Sequence, residues 1–291
     1  FKTKAIIEDL KLLIDKFWGK HSFFAILLHE LLDKSNHYYK DKQSKNLQNI
    51  LLNLNRMSCN LKIGNRAEYG LIGLPNYYLK NFDHGEINIK EQGKLDRAEK
   101  MLNLFFKSTY NDIQEVYYKQ DTIENHKIKY NLYVKKNICG TIRDLNFNLE
   151  STGTQAILRL LPFLLASVEG STVIIDEFDS GIHDLLSRAL IQSIFKDISG
   201  QLIMTTHNTS LMDNETMINK DSPLPDIPAE CIYTINEDDA HKKDITCILT
   251  YDNKLNSNSN VRKQYIQGKY RGIPSKISLN FKELKDLLSD R

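Results

Sequence analysis

The sequence predicts an α/β fold built on a parallel sheet, and three observations carry that expectation. Thr172 to Ile175 is a short, continuous, β-branched run, as expected of a strand buried on both faces. Apolar residues then recur at 182, 185, 186, 189, 190, 194 and 195, which is a helical stripe closed by Ser199-Gly200. A second run, Gln201 to Thr205, reads as the next strand. Strand, helix and strand at this length form a βαβ unit, whose strands are parallel.

The elements before this unit are read in chain order. Residues 1 to about 58 read as helices, with Ile6, Leu10, Leu13, Ile14 and Phe17 on one stripe and Leu47, Ile50, Leu51 and Leu54 on another. Asp33 to Ser44 is polar and reads as a loop or a frayed helix end. Residues 59 to 93, rich in Gly, Asn and Tyr, are expected to be irregular. Lys94 to Tyr110 is expected to be a helix that turns Leu95, Ala98, Met101, Leu102, Phe105 and Phe106 inward. Val116 to Val134 alternates weakly and suits strands with a turn near Asn125. Leu145, Phe147 and Leu149 alternate with Asn146 and Asn148, which predicts a strand leading to Ser151. An apolar helix is expected from about Gln155 to Val168, kinked at Pro162.

After the βαβ unit, Pro223, Pro225 and Pro228 punctuate a loop. Two strands are expected over Glu230–Asn236 and Asp244–Tyr251, and the acids between them are read as a hairpin turn rather than a metal site. Phe281 to Leu288 reads as a short amphipathic helix.

Open parallel sheets bind ligands beyond the carboxyl ends of their strands. Three groups are expected there. Asp176 and Glu177 follow the first strand and His207 follows the second. A carboxylate at that position can hold Mg²⁺ through its water shell. A second can orient or deprotonate an attacking water. A histidine at the next strand end can hydrogen-bond a terminal phosphate. Ser151-Thr152-Gly153-Thr154 opens the apolar helix, and a helix N-terminus is an anion site. Taken together these parts suit phosphoryl transfer to water. Each alone has a plainer explanation: a solvated strand end, a helix cap or an exposed histidine. Their joint order and spacing favour the chemical one.

Those residues carry a resemblance. Ser151-Thr152-Gly153-Thr154-Gln155 resembles a variant signature motif of ABC-type P-loop ATPases, with Thr154 in place of the second glycine. Val173 to Glu177 resembles their Walker B strand, Phe178 to His183 their D-loop, and Thr205 to Asn208 their switch-histidine loop. The spacing is more similar to the SMC-like and OLD-like branches than to transporter proteins. Tyr265 to Pro274 resembles the tail of a bacterial ATP-binding family associated with abortive infection.

The resemblance implies an ABC-type head, of which residues 145–291 would be the carboxyl-terminal lobe on a parallel sheet core. Residues 1–144 would be a helical or mixed insertion subdomain. It implies ATP and Mg²⁺ as cofactors. Ser151, Thr152, Gly153, Thr154 and Gln155 would meet ATP held by a second subunit. Asp176 would act on Mg²⁺ through water, Glu177 would be the general base, His207 would contact the γ-phosphate, and Asp179 and Ser180 would lie at the dimer seam. It implies a homodimer or higher oligomer closed by ATP, and an effector protein, a nuclease or a toxin, under its control. No G-x-x-x-x-G-K-[ST] loop is present, and Gly19-Lys20-His21-Ser22 lacks the upstream glycine. The chain is therefore expected to be the carboxyl-terminal part of a longer ATPase and to be inactive alone.

Composition narrows the rest. With 39 basic and 37 acidic side chains in 291 residues, global charge names no partner. Cys59, Cys139, Cys231 and Cys247 form no C-x-x-C pair, which fits a reducing compartment. No transmembrane run or signal peptide is visible, so a cytoplasmic location without membrane contact is expected. Between Asn253 and Asn280 there are six bases and no acid: Lys254, Arg262, Lys263, Lys269, Arg271 and Lys276. They could meet nucleic acid phosphates or a partner, although a surface tail is favoured at that modest charge density. Two alternatives stay open, an SMC-like DNA-repair ATPase and a non-catalytic scaffold that binds an effector. The short helical insertion argues against the first, and the joint presence of Asp176, Glu177 and His207 against the second.

Overall fold

The computed structural model describes residues 4–17, 26–27, 44–63, 67–71, 78–79, 81–123, 126–213, 227–237, 241–251, 260–273 and 280–289. The Gly19–Ser22 stretch, the polar 33–43 segment, the turn at Asn125, Pro223 and Pro225, the turn acids Asp238 and Asp239, and Lys254 and Lys276 lie outside them. The chain forms two compact units, residues 1–207 and 208–291. The boundary expected after residue 144 falls inside a strand of the first unit.

Among the described residues the first unit begins with helices α1 (Lys4–Phe17) and α2 (Lys45–Asn55), the latter capped by the Ser44 hydroxyl. A four-stranded sheet follows in the order β2 (Ala67–Leu71), β1 (Ser58–Ile63), β7 (Thr172–Ile175), β8 (Gln201–Met204). Strands β1, β7 and β8 are parallel; β2 runs antiparallel beside β1. The predicted βαβ unit is present, its crossover being helix α5 (Asp184–Ile194). What the sequence did not reveal is β1. Residues 59 to 93 were expected to be irregular, yet Ser58, Cys59 and Asn60 pair in register with Val173, Ile174 and Ile175. Cys-Asn-Leu-Lys-Ile has neither a β-branched run nor clean alternation. Strand β2 is a local partner, but the parallel partner β7 lies over a hundred residues away, so its place in the parallel sheet is set by tertiary pairing rather than by local preference.

A second, antiparallel sheet comprises β3 (His84–Asn88), β5 (Lys127–Ile138), β4 (Ile113–Ile123) and β6 (Thr141–Asn146). Strand β5 pairs with β4 along its length on one side. Its other edge is shared between β3 and β6. The β5–β6 hairpin closes through Cys139 at φ 51° and Gly140 at φ 82°, the two left-handed residues that a twist-matched two-residue turn requires.

Helix α3 (Gln92–Thr109) covers one face of this sheet. Leu95, Ala98, Leu102 and Phe106 pack against Val116, Tyr118, Ile128, Tyr130, Leu132 and Val134. The buried phenols find partners: Tyr118 donates to the Phe82 carbonyl and Tyr130 to that of Asn81. Burial moves both hydroxyls above the ordinary tyrosine range, Tyr130 to about 12.

The strand expected through Leu149 stops at Asn146. There the Asn146 side chain accepts from the Asn148 N–H and starts a single 3₁₀ turn, Phe147–Leu149. An asparagine's own carbonyl competes with the sheet ladder in this way. Helix α4 (Thr152–Val168) then starts three residues earlier than expected and runs through Pro162. It is apolar nearly all round because it serves two layers. Leu158 and Leu161 join the α3 core, while the helix also packs against β1 and β7.

The second unit holds the hairpin of β9 (Tyr233–Glu237) and β10 (Lys243–Cys247), shorter than the strands expected, and helices α6 (Val261–Ile266) and α7 (Phe281–Ser289). Its small core is Ile248, Val261 and Tyr270, and the Thr234 hydroxyl donates to the Tyr270 carbonyl. Among the described residues no helix is long and apolar enough to cross a membrane. The four cysteines are free thiols.

Candidate functional site

The parallel register sets the site. Ile175 pairs with Met204 and Asn60 with Ile175, so β7 and β8 end at one level while β1 runs on beside them to Ile63. Asp176 and Thr205 are the next residues out. The Asp176 N–H donates to the Asn60 carbonyl at 2.8 Å, continuing the β1–β7 ladder by one bond.

Thr205 ties the two strand ends together. Its hydroxyl donates to Asp176 Oδ1 at 2.6 Å and accepts from the Glu177 N–H at 2.8 Å. Its carbonyl accepts from the Phe178 N–H at 3.0 Å. Glu177 sits at φ 48°, a left-handed conformation uncommon for a residue with a side chain. The Thr205 bond and the Ser180 N–H, which donates to the Glu177 carbonyl at 2.9 Å, hold it there. Strain held in place by surrounding bonds is a recurrent mark of functional positions.

Beyond Glu177, Phe178 and Ile182 are buried and pin the loop to the unit's core. Asp179 is half-buried, and its Oδ1 accepts from the His207 backbone N–H at 3.4 Å. His207 and Ser180 are exposed. Asp176, Glu177, Asp179 and His207 thus occupy one edge. Among the described residues no three His, Cys, Asp or Glu side chains cluster as metal ligands. A single carboxylate is nonetheless what a Mg²⁺ ion that keeps most of its water requires.

The Ser151 turn is built separately and meets this loop. Ser151 caps α4: its Oγ accepts from the Thr154 N–H at 3.1 Å and lies 2.8 Å from Thr154 Oγ1. Thr154 is buried, whereas Ser151 and Thr152 are exposed. Gln155 donates from Nε2 to the Asn148 and Glu150 carbonyls, both at 2.8 Å, which folds the approach to Ser151 back onto the helix. Glu150 is itself buried and paired with Lys136 of β5 at 2.9 Å. Burial lowers the Lys136 pKa, but the Glu150 and Asp112 carboxylates outweigh it and hold the ammonium above its ordinary value. Gly153 makes the closest approach: a Cβ there would stand 2.7 Å from the Gly181 carbonyl oxygen. The Ser151 turn and the loop after Glu177 are therefore in direct contact.

Residues 66–213, just over half of the 291, match the family described as "AAA domain, putative AbiEii toxin, Type IV TA system". The chain belongs to this family. The matched stretch of this AAA protein takes in β2, the antiparallel sheet, α3 and α4, both βαβ strands and His207. It supports an α/β, P-loop NTPase-like fold in an ATPase-type family that its description links to a toxin–antitoxin setting. No curated protein matches this AAA chain.

Of the six basic residues in the tail, the four described, Arg262, Lys263, Lys269 and Arg271, lie in the second unit and are unlike one another. Arg262 donates to Thr209 Oγ1 at 3.1 Å and pairs with Asp213 at 3.3 Å. Lys269 lies over the Tyr270 ring and donates to Gln264. Lys263 and Arg271 are exposed, the latter at φ 56°. Sequence reasoning missed two contributors to the site, the Thr205 hydroxyl and the Asn60 carbonyl. A threonine directly after an apolar strand was a visible signal for the first. The second gave none, since any residue supplies a carbonyl.

Proposed function

We propose that this AAA protein works as an ATP-hydrolysing switch whose two heads close around ATP. The observation that carries the reading is the Thr205 hydroxyl bound at once to the Asp176 carboxylate and the Glu177 backbone. It holds the Asp176 carboxylate and the backbone that carries Glu177 at one strand end. Asp176 would hold Mg²⁺ through its water shell, which would supply charge neutralisation at the phosphates. Glu177 would accept the proton of the water that attacks the γ-phosphorus, while ADP departs with the bonding electrons. His207 would donate a hydrogen bond to the γ-phosphate, and Asp179 and Ser180 would line the seam. Ser151 and the first amides of α4 would meet the γ-phosphate of the partner's ATP, as a helix N-terminus favours an anion.

The contact between Gly153 and Gly181 supports one further consequence. Movement of the loop after Glu177 on hydrolysis would be felt by the Ser151 turn, so chemistry at one nucleotide reaches the surface that holds the other. The toxin–antitoxin setting in the family description supports a role in abortive infection; a nuclease or toxin effector would be the switch's output.

The test is ATP turnover by the full-length protein beside Glu177→Gln, with mass photometry of both. Turnover is expected to fall about 10²- to 10⁴-fold in the variant, the span typical of a general base. The variant should also persist as an ATP-dependent dimer. A parent that neither turns over ATP nor dimerises with it would overturn the switch.

A further inference from the structure

A cavity of about 690 Å³ opens where β5 changes neighbours. Strand β3 begins opposite Asn131 and β6 ends opposite Tyr133, and the gap in that edge is bridged by the Leu132 N–H donating to the Asp83 carbonyl. Helix α4 forms the facing wall. The volume lies within the range of about 300–1,000 Å³ that holds small-molecule ligands. None of Ser151, Asp176, Glu177 or His207 lines it.

Its lining has a definite chemistry. Asn60, Asn131, Asn146 and Asn148 supply amides, each able to offer a donor and an acceptor. Phe82, Pro162 and Phe163, all buried, form an apolar floor beneath them. The charged liners are Arg159, exposed on α4, and the Asp83–His84 pair, which is closed on itself at 2.9 Å. Amides above an apolar floor suit a neutral planar ring whose edge alternates donors and acceptors. An arginine at the opening suits an anion attached to that ring.

We propose that this cavity binds a nucleobase, with its phosphate toward Arg159, at a position separate from the Asp176 edge. The base comes from a free nucleotide or from an unpaired stretch of nucleic acid, and the chemistry is shared. Occupancy is tied to the Ser151 turn through covalent and hydrogen-bonded neighbours. Asn146 and Asn148 line the cavity and make the bond that starts the 3₁₀ turn Phe147–Leu149, and Gln155, also a lining residue, holds the Asn148 and Glu150 carbonyls that lead into Ser151.

The experiment is saturation-transfer NMR on the full-length protein with adenosine, guanosine, cytidine and uridine 5′-monophosphates and with single-stranded DNA and RNA oligonucleotides. At least one monophosphate or oligonucleotide is expected to bind. Asn148→Leu and Arg159→Ala should each weaken it about tenfold, as loss of one hydrogen bond to a charged or polar group implies. Asp176→Ala should leave it intact. Binding of a monophosphate assigns a free nucleotide, and binding of an oligonucleotide alone assigns nucleic acid. Hydrogen exchange of amides 147–155 should slow on binding. Absence of binding by all probes, binding insensitive to both cavity variants, or equal loss in Asp176→Ala would overturn the proposal. Because no step depends on ATP turnover, failure here leaves the switch untouched, and the reverse holds.

Discussion

The antiparallel sheet and the parallel sheet of the first unit meet solvent in opposite ways. The antiparallel sheet closes one face under α3, where Leu95, Leu102, Phe106 and Val134 are fully buried. Phe106 stacks on Tyr110 and meets Phe147 edge to face at 5.1 Å between centroids. Its other face is a lattice of exposed pairs: Lys135 with Glu115, and Lys119 with Asp144 and the Tyr133 ring. The parallel sheet is built from four-residue strands at β7 and β8, and what matters lies just beyond them. Asp176, Glu177 and Asp179 are only half-buried there, and His207 is exposed. One region keeps its polar groups paired at the surface and its apolar groups inside. The other places its few inter-strand side-chain bonds beside carboxylates that stay half-exposed. The difference teaches that hydrogen bonds at the strand ends position side chains, whereas packing around α3 supplies the stability that such an open edge lacks.

Substitutions can break that contrast, beginning with the largest expected effect. Phe106→Ala should lower unfolding free energy by about 3–5 kcal/mol, the range for emptying a packed aromatic position. Urea titration followed by far-UV circular dichroism would measure it. A loss well below that range would show that α3 does not anchor the unit. Next comes Lys136→Met, which belongs to the antiparallel sheet but holds Glu150 beside the Ser151 turn. Leaving a buried carboxylate unpaired should cost about 3 kcal/mol. Adding Glu150→Gln to that variant should recover most of the loss, because it removes the unpaired charge. A loss that persists in the double variant would assign the effect to packing instead.

Thr205→Val removes the bond that spans the two parallel strands and leaves the Glu177 N–H without its acceptor. A destabilisation of about 1–3 kcal/mol is expected from one unmade bond. The more telling readout is turnover by the full-length protein, which should fall further than the stability loss explains. Turnover equal to the parent's would mean that Thr205 does not position the carboxylates. The smallest effect concerns alkali. Tyr130 is raised from an ordinary value near 10 to about 12 by burial. A raised folded value means that its contribution is complete below the unfolded pKa and is lost as pH rises through the folded one. Stability should therefore decline from about pH 10 upward. Tyr130→Phe should flatten that decline when melting temperature is followed against pH.

Helix α3 and the βαβ unit were legible because each is specified by neighbours in sequence, whereas the β5–β6 hairpin closing at Cys139-Gly140 was not anticipated. Helical stripes and a β-branched run act over a few residues. The start of α4 was misplaced because Ser151 reaches forward to Thr154 as a cap, an interaction that competes with continued extended chain. Asn146 ended its strand early for the same local reason, read in the wrong direction.

What the sequence by itself determined is the chemical cast: two carboxylates after a buried strand, a histidine after the next, and a hydroxyl-rich helix start. Only the tertiary structure decided which of them touch. It recruited β1 from a stretch without strand character, and so placed the Asn60 carbonyl under Asp176. It made one threonine serve two strand ends, and it brought Gly153 against Gly181. Each of these depends on parallel pairing or on backbone approach between segments far apart in the chain. Backbone carbonyls and glycine contacts leave no pattern in side-chain chemistry, so only the folded register reveals them.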